Sequence, residues 1–187
     1  MQKIFDAERK ESVPQSSIPL AWFGFTFGFL FLVAETLPVF LELEDLPESV
    51  LIAIFVLGWF YWLFCVHRLH RILEELTGGY YPISTGQAVA FHIIPIFNFY
   101  WVFKWPQTFA KYLTESGRVV IAPGGLLGGL LFLSFIARFF DGAISLFGMF
   151  GVLTYMTAKL RQHVKIVEES QQSALPPPPD FNAVGDE

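Results

Sequence analysis

The stretch Val50–Val66, VLIAIFVLGWFYWLFCV, holds no charged side chain over 17 positions and is closed by His67-Arg68-Leu69-His70-Arg71. At about 1.5 Å per residue, a helix of this length comes close to crossing a hydrocarbon core of roughly 30 Å. Val119–Ala137 and Gly142–Ala158 are likewise free of charge, and Ile18–Phe40 carries Glu35 alone. Backbone polar groups in lipid must be satisfied within their own segment, so each stretch is expected to be helical. The fold predicted is all-α: a polytopic membrane protein with four transmembrane helices. Composition agrees, because 53% hydrophobic and 16% charged residues, with a mean hydropathy of +0.50, leave too few polar groups to cover a soluble domain. The first stretch is expected to be retained, since it ends Val33-Ala34-Glu35-Thr36-Leu37-Pro38 and not in a small-x-small cleavage site.

Basic residues set the expected orientation. Lys3, Arg9 and Lys10 precede the first span, whereas the next loop carries Glu42, Glu44, Asp45 and Glu48 with no basic residue. The N-terminus is therefore expected in the cytoplasm and the acidic loop outside. The second span returns to Arg68 and Arg71, and Gly78-Gly79 is expected to end its helix near Leu76.

Gly86–Phe103 is apolar but interrupted by His92, Pro95 and Asn98. If it crossed fully, the 12 basic residues would divide six and six. If it dips in and returns, eleven lie inside and only Arg138 outside. The charge bias favours a re-entrant or interfacial element, about 85–116. Ser84 with Gln87 reads as a capping box that starts a helix near Thr85, and Pro95 disfavours helix at Ile94, so the element is predicted to be broken. After the break, Trp105, Phe109, Tyr112 and Leu113 recur at helical spacing, flanked by Lys104 and Lys111, with Pro106 suited to a first turn. A helix lying on the inner surface is expected, with Tyr80, Tyr81, Tyr100, Trp101 and Trp105 as an aromatic belt.

Helix packing has its own signals. Gly24 and Gly28 are four apart, and Gly124 with Gly128 and Gly125 with Gly129 form an overlapping tandem, so close backbone approach is expected on these faces. Phenylalanines at 23, 25, 27, 29 and 31 point around the first helix and read as ordinary lipid and protein packing.

The candidate functional polar residues are Glu35, His67, His70, His92, Asn98, Arg138 and Asp141. Arg138 and Asp141 are placed to pair across an outer turn, with Glu35 a second partner for the arginine. His67 and His70 share one helix end and His92 can approach them, which would allow a metal or haem contact. No carboxylate or thiolate stands at ligand spacing, and headgroup pairing is the plainer reading, so no metal and no cofactor are assigned. Cys65 is the single cysteine and reads as a small packed side chain. HExxH, GxSxG, phosphate-loop and dinucleotide patterns are absent from the sequence, so a non-enzymatic role is expected. No basic block interleaved with aromatics points to nucleic acid.

The chain divides into a cytoplasmic segment 1–17, a helical membrane domain 18–160, and a cytoplasmic helix and tail 161–187. In that tail Lys159–Glu169 continues the last helix, Pro176–Pro179 reads as polyproline and Asp180–Glu187 as acidic coil. The segment His92-Ile93-Ile94-Pro95-Ile96-Phe97-Asn98, opening the aromatic stretch Phe99–Trp105, resembles an uncharacterised family of small bacterial multi-spanning membrane proteins, a domain of unknown function. That resemblance covers about the middle third of the chain. It implies a bacterial inner or internal membrane and brings no activity. The expected role is an accessory or scaffold subunit that self-associates or binds another membrane protein through its glycine faces, and that meets partners or lipids at the cytoplasmic side. The alternative is a small homo-oligomeric channel or transporter, with His92, Asn98 and Glu35 along its path.

Overall fold

A computed structural model describes residues 18–41 and 46–173 of the chain. A 3-10 turn, Ala21–Gly24, leads into α1 (Phe25–Phe40), followed by α2 (Glu48–Leu76), α3 (Thr85–Ile93), α4 (Pro95–Glu115), α5 (Gly124–Ala137) and α6 (Gly142–Ser173). No strand occurs among the described residues. Lys3, Arg9, Lys10, Glu42, Glu44, Asp45 and the proline-rich tail lie outside them.

Each boundary has a local cause. Glu48 sits in the first turn of α2, where a carboxylate complements the helix dipole. The helix stops as expected at Gly78 and Gly79, whose φ values of 62° and 88° favour glycine, while the Gly79 N–H donates to Glu74 O at 2.8 Å. Ser84 and Gln87 form the full capping box of α3. Ile94, preceding proline, is extended at φ −77° and ψ 111°, and Pro95 opens α4 at a position where no N–H is needed. The α5–α6 turn closes when the Asp141 carboxylate accepts the Ile144 N–H at 2.8 Å.

Three helical stretches are long and apolar enough to cross a membrane: Ala21–Phe40, Glu48–Leu76 and Gly142–Ser170. The fourth expected span is shorter than its hydropathy indicated. Val119–Pro123 is not helical, and α5 holds only 14 residues, about 21 Å of helix. Pro123 caps its start, and the Ala122 N–H donates instead to the Tyr155 hydroxyl at 2.9 Å.

The α3–α4 segment forms a hairpin between α2 and α5. Thr85 bonds Glu74 near the end of α2, and His92 packs on Trp62 at the middle of that 29-residue helix. From the break, α4 runs back antiparallel to α5: Phe99 meets Phe132 and Phe135, Phe103 abuts Gly128, and Gln107 abuts Gly124. The hairpin therefore reaches about halfway along α2 and returns.

Two expectations on this element are corrected. Pro106 lies inside α4 and does not open a helix, because the helix already starts at Pro95. Trp105, Phe109 and Leu113 are fully buried against α2, α5 and α6, so their stripe faces protein. The aromatic belt divides accordingly: Tyr80 and Tyr100 are exposed, while Tyr81, Trp101 and Trp105 belong to the core.

Candidate functional site

At the centre of the bundle the hairpin places imidazoles among indoles. The α2 face that buries Trp62, Cys65, Val66, Leu69 and His70 follows helical spacing. The buried face of α4, Asn98, Trp101, Trp105 and Phe109, does the same opposite it. Trp105 is the hub: its ring centroid lies 5.6 Å from His70, 6.0 Å from His92 and 6.3 Å from Trp62. Tyr81 extends the cluster from His70 at 5.7 Å, and Trp101 extends it from His92 at 6.4 Å. Tyr81 lies outside the long apolar helices, and burial, with Tyr112 beside it, pushes its phenol well above the usual tyrosine range.

His92 Nδ1 lies 2.6 Å from Ala88 O, and since a carbonyl can only accept, this nitrogen carries the proton and Nε2 keeps its lone pair. His92 Nε2, both nitrogens of His70, Asn98 Oδ1, the Tyr81 hydroxyl and the indole N–H groups of Trp62, Trp101 and Trp105 are buried without a hydrogen-bond partner in the protein. The set holds no carboxylate, ammonium or guanidinium and is richer in donors than in acceptors. A metal fits it poorly. Its acceptors are imidazoles and one carboxamide, with no anion to offset a buried cation, and no group of three or more His, Cys, Asp or Glu able to hold an ion occurs among the described residues.

The structure thus brings His70 and His92 onto the Trp105 ring, buries Asn98 on the same face of α4, and leaves His67, one turn away on α2, exposed. The sequence placed Tyr81 and Trp105 in a surface belt and singled out neither Trp62 nor the buried His163, whose ring meets Tyr112 at 6.0 Å. Trp62 shares a period-3.6 stripe with Val66, Leu69 and Leu73 on α2, which was its available signal.

Arg138 does not pair with Asp141. Its guanidinium lies over the Phe135 and Phe139 rings at 4.9 and 5.1 Å, and one oxygen of Asp141 is taken up in capping α6. Glu35 is exposed on α1.

The tandem glycines separate into two faces. A Cβ at Gly124 would stand 2.6 Å from Gln107 Cα, and one at Gly128 2.5 Å from Phe103 O, so this pair is used up between α4 and α5. Gly125 and Gly129 face open space. Gly125 also borders a cleft of about 580 Å³ lined by Gln107, Lys111, Thr114 and Pro123. Gly24, at the end of the 3-10 turn, and Gly28 of α1 admit the Phe150 and Phe147 rings of α6.

Comparison of the chain with protein-family models, curated proteins and solved structures finds no match.

Proposed function

We propose that this protein is a non-enzymatic scaffold or accessory subunit of a bacterial inner membrane, with both termini cytoplasmic, that self-associates through α5. The observation that carries this reading is the division of the tandem glycines. Gly124 and Gly128 serve the fold, whereas Gly125 and Gly129 leave a strip of bare backbone bordered by exposed Leu126, Leu130 and Leu133. Such a strip lets a second helix approach closely, and two copies of the same strip are self-complementary about a two-fold axis. The orientation is supported by Arg68, Arg71, Lys159, Arg161 and Lys165, which follow the apolar parts of α2 and α6. The cleft beside Gly125 then opens at the cytoplasmic side, where a partner or lipid can engage it.

The test is purification of the full chain in mild detergent and measurement of the intact particle. The reading expects protein mass in multiples of the 21.3 kDa chain. A particle holding one chain alone would overturn self-association. A channel or transporter is the second reading, favoured by the unpartnered His92 Nε2 and Asn98 Oδ1 beside a broken helix. Ion or solute flux in liposomes that His92→Leu and Asn98→Leu leave unchanged would remove it.

A further inference from the structure

The α5–α6 turn stands well short of the α1–α2 end of the molecule. Gly142 is so close to α1 that a Cβ there would strike the Phe31 ring, and Phe31 in turn packs on Phe55 of α2 at 6.5 Å. The start of α6 is therefore level with Phe31 and Phe55. Beyond that level α1 continues nine residues to Phe40, about 13 Å, and α2 extends seven residues back to Glu48, about 10 Å. This overhang is apolar and outward-facing: Leu37, Val39, Phe40 and Ile52 are all exposed.

If α1 and α2 cross a hydrocarbon core of roughly 30 Å, the turn Arg138-Phe139-Phe140-Asp141 lies about a third of the way into it. Ionisable groups at such depth are costly unless headgroups or water reach them. Here the exposed Arg138 presents a cation, Asp141 presents a carboxylate three residues on in the same turn, and α1 exposes Glu35. A phospholipid headgroup carries both a phosphate for the guanidinium and, in an amine lipid, an ammonium for the carboxylates.

We infer that the α5–α6 turn is a lipid shelf, on which phospholipid headgroups of the leaflet surrounding the α1–α2 tip are drawn about 10 Å into the membrane, thinning the bilayer on that side of the protein. The occupant is lipid and not a protein helix, because the shelf offers both signs of charge beneath only a short apolar wall. This rests on α1 and α2 spanning a bilayer.

Single cysteines test it in the full chain with Cys65→Ala, reconstituted in phosphatidylethanolamine–phosphatidylglycerol vesicles. A membrane-impermeant maleimide is supplied on both faces. Ser49→Cys marks the exposed start of α2, and Leu57→Cys marks a lipid-facing position at the depth of the turn. The shelf predicts that Phe140→Cys reacts as Ser49→Cys does, while Leu57→Cys is protected. Phe139→Cys replaces it if the first variant does not fold. Protection of the turn cysteine equal to that of Leu57→Cys overturns the shelf, whether acyl chains or a second copy cover it. Labelling of Leu57→Cys as fast as Ser49→Cys would instead overturn the spanning of α2.

Discussion

Replacing Gly128 and Gly129 one at a time by alanine should give opposite outcomes, although the residues are adjacent on one helix. At Gly128 the added Cβ would stand 2.5 Å from Phe103 O and 3.3 Å from that residue's C and Cα. Ordinary van der Waals contact begins near 3.4 Å, so α4 and α5 must part by about 0.9 Å, enough to forfeit a quarter to a half of the dispersion well for nearby atoms. The obstacle is backbone, which cannot rotate away as a side chain would. Overpacking of this kind costs about 1–3 kcal/mol. At Gly129 nothing in the chain lies within 4 Å, so within one dissociated chain only the helix preference of alanine acts, a gain of up to about 1 kcal/mol. That gain is common to both sites and cancels in the comparison, leaving Gly128→Ala about 1–3 kcal/mol less stable than Gly129→Ala. Reversible unfolding of the two variants in mixed micelles with increasing SDS reads the difference. Equal midpoints would refute the assignment of Gly128 to the α4–α5 contact.

Trp105→Ala, at the hub of the buried cluster, should lower stability by about 3–5 kcal/mol in the same titration, and a loss below 1 kcal/mol would contradict its position between His70, His92 and Trp62. Tyr155→Phe removes the acceptor of the Ala122 N–H and should cost about 1–2 kcal/mol, with faster hydrogen exchange confined to the 119–123 linker. Ser84→Ala, which opens the capping box, should cost about 0.5–2 kcal/mol and speed exchange in the first turn of α3. By contrast, charge removal at Glu75, Glu115 or Glu169 should change stability by less than about 1 kcal/mol, since each exposed carboxylate pairs only with a cation one turn back.

The helical class and the breaks were legible where a residue forces the backbone. Gly78-Gly79, the Ser84–Gln87 box and Ile94-Pro95 each act through local sterics or hydrogen bonding, and each is where the residues require it. Length was less legible. Val119–Pro123 is as apolar as a helix turn, and hydropathy does not distinguish helix from extended chain whose N–H finds a tyrosine hydroxyl. Facing was the least legible. The stripe Trp105, Phe109, Leu113 declares an apolar side of α4, but whether that side meets lipid or protein depends on α2, α5 and α6, which come together only in the fold. For the same reason the tandem glycines announced close packing without saying which pair would be spent inside. His70 and His92 come to Trp105 from two other helices, so their meeting could be suspected but not read.

The measurement that bears most directly on the proposed role compares particle mass for the native chain, Gly125→Leu with Gly129→Leu, and Gly124→Leu with Gly128→Leu, all in the same mild detergent. Self-association through the open face predicts that the 125/129 double variant stays folded and falls to a single 21.3 kDa chain, whereas the 124/128 variant loses the stability of the fold itself. An unchanged particle in a folded 125/129 variant would contradict it.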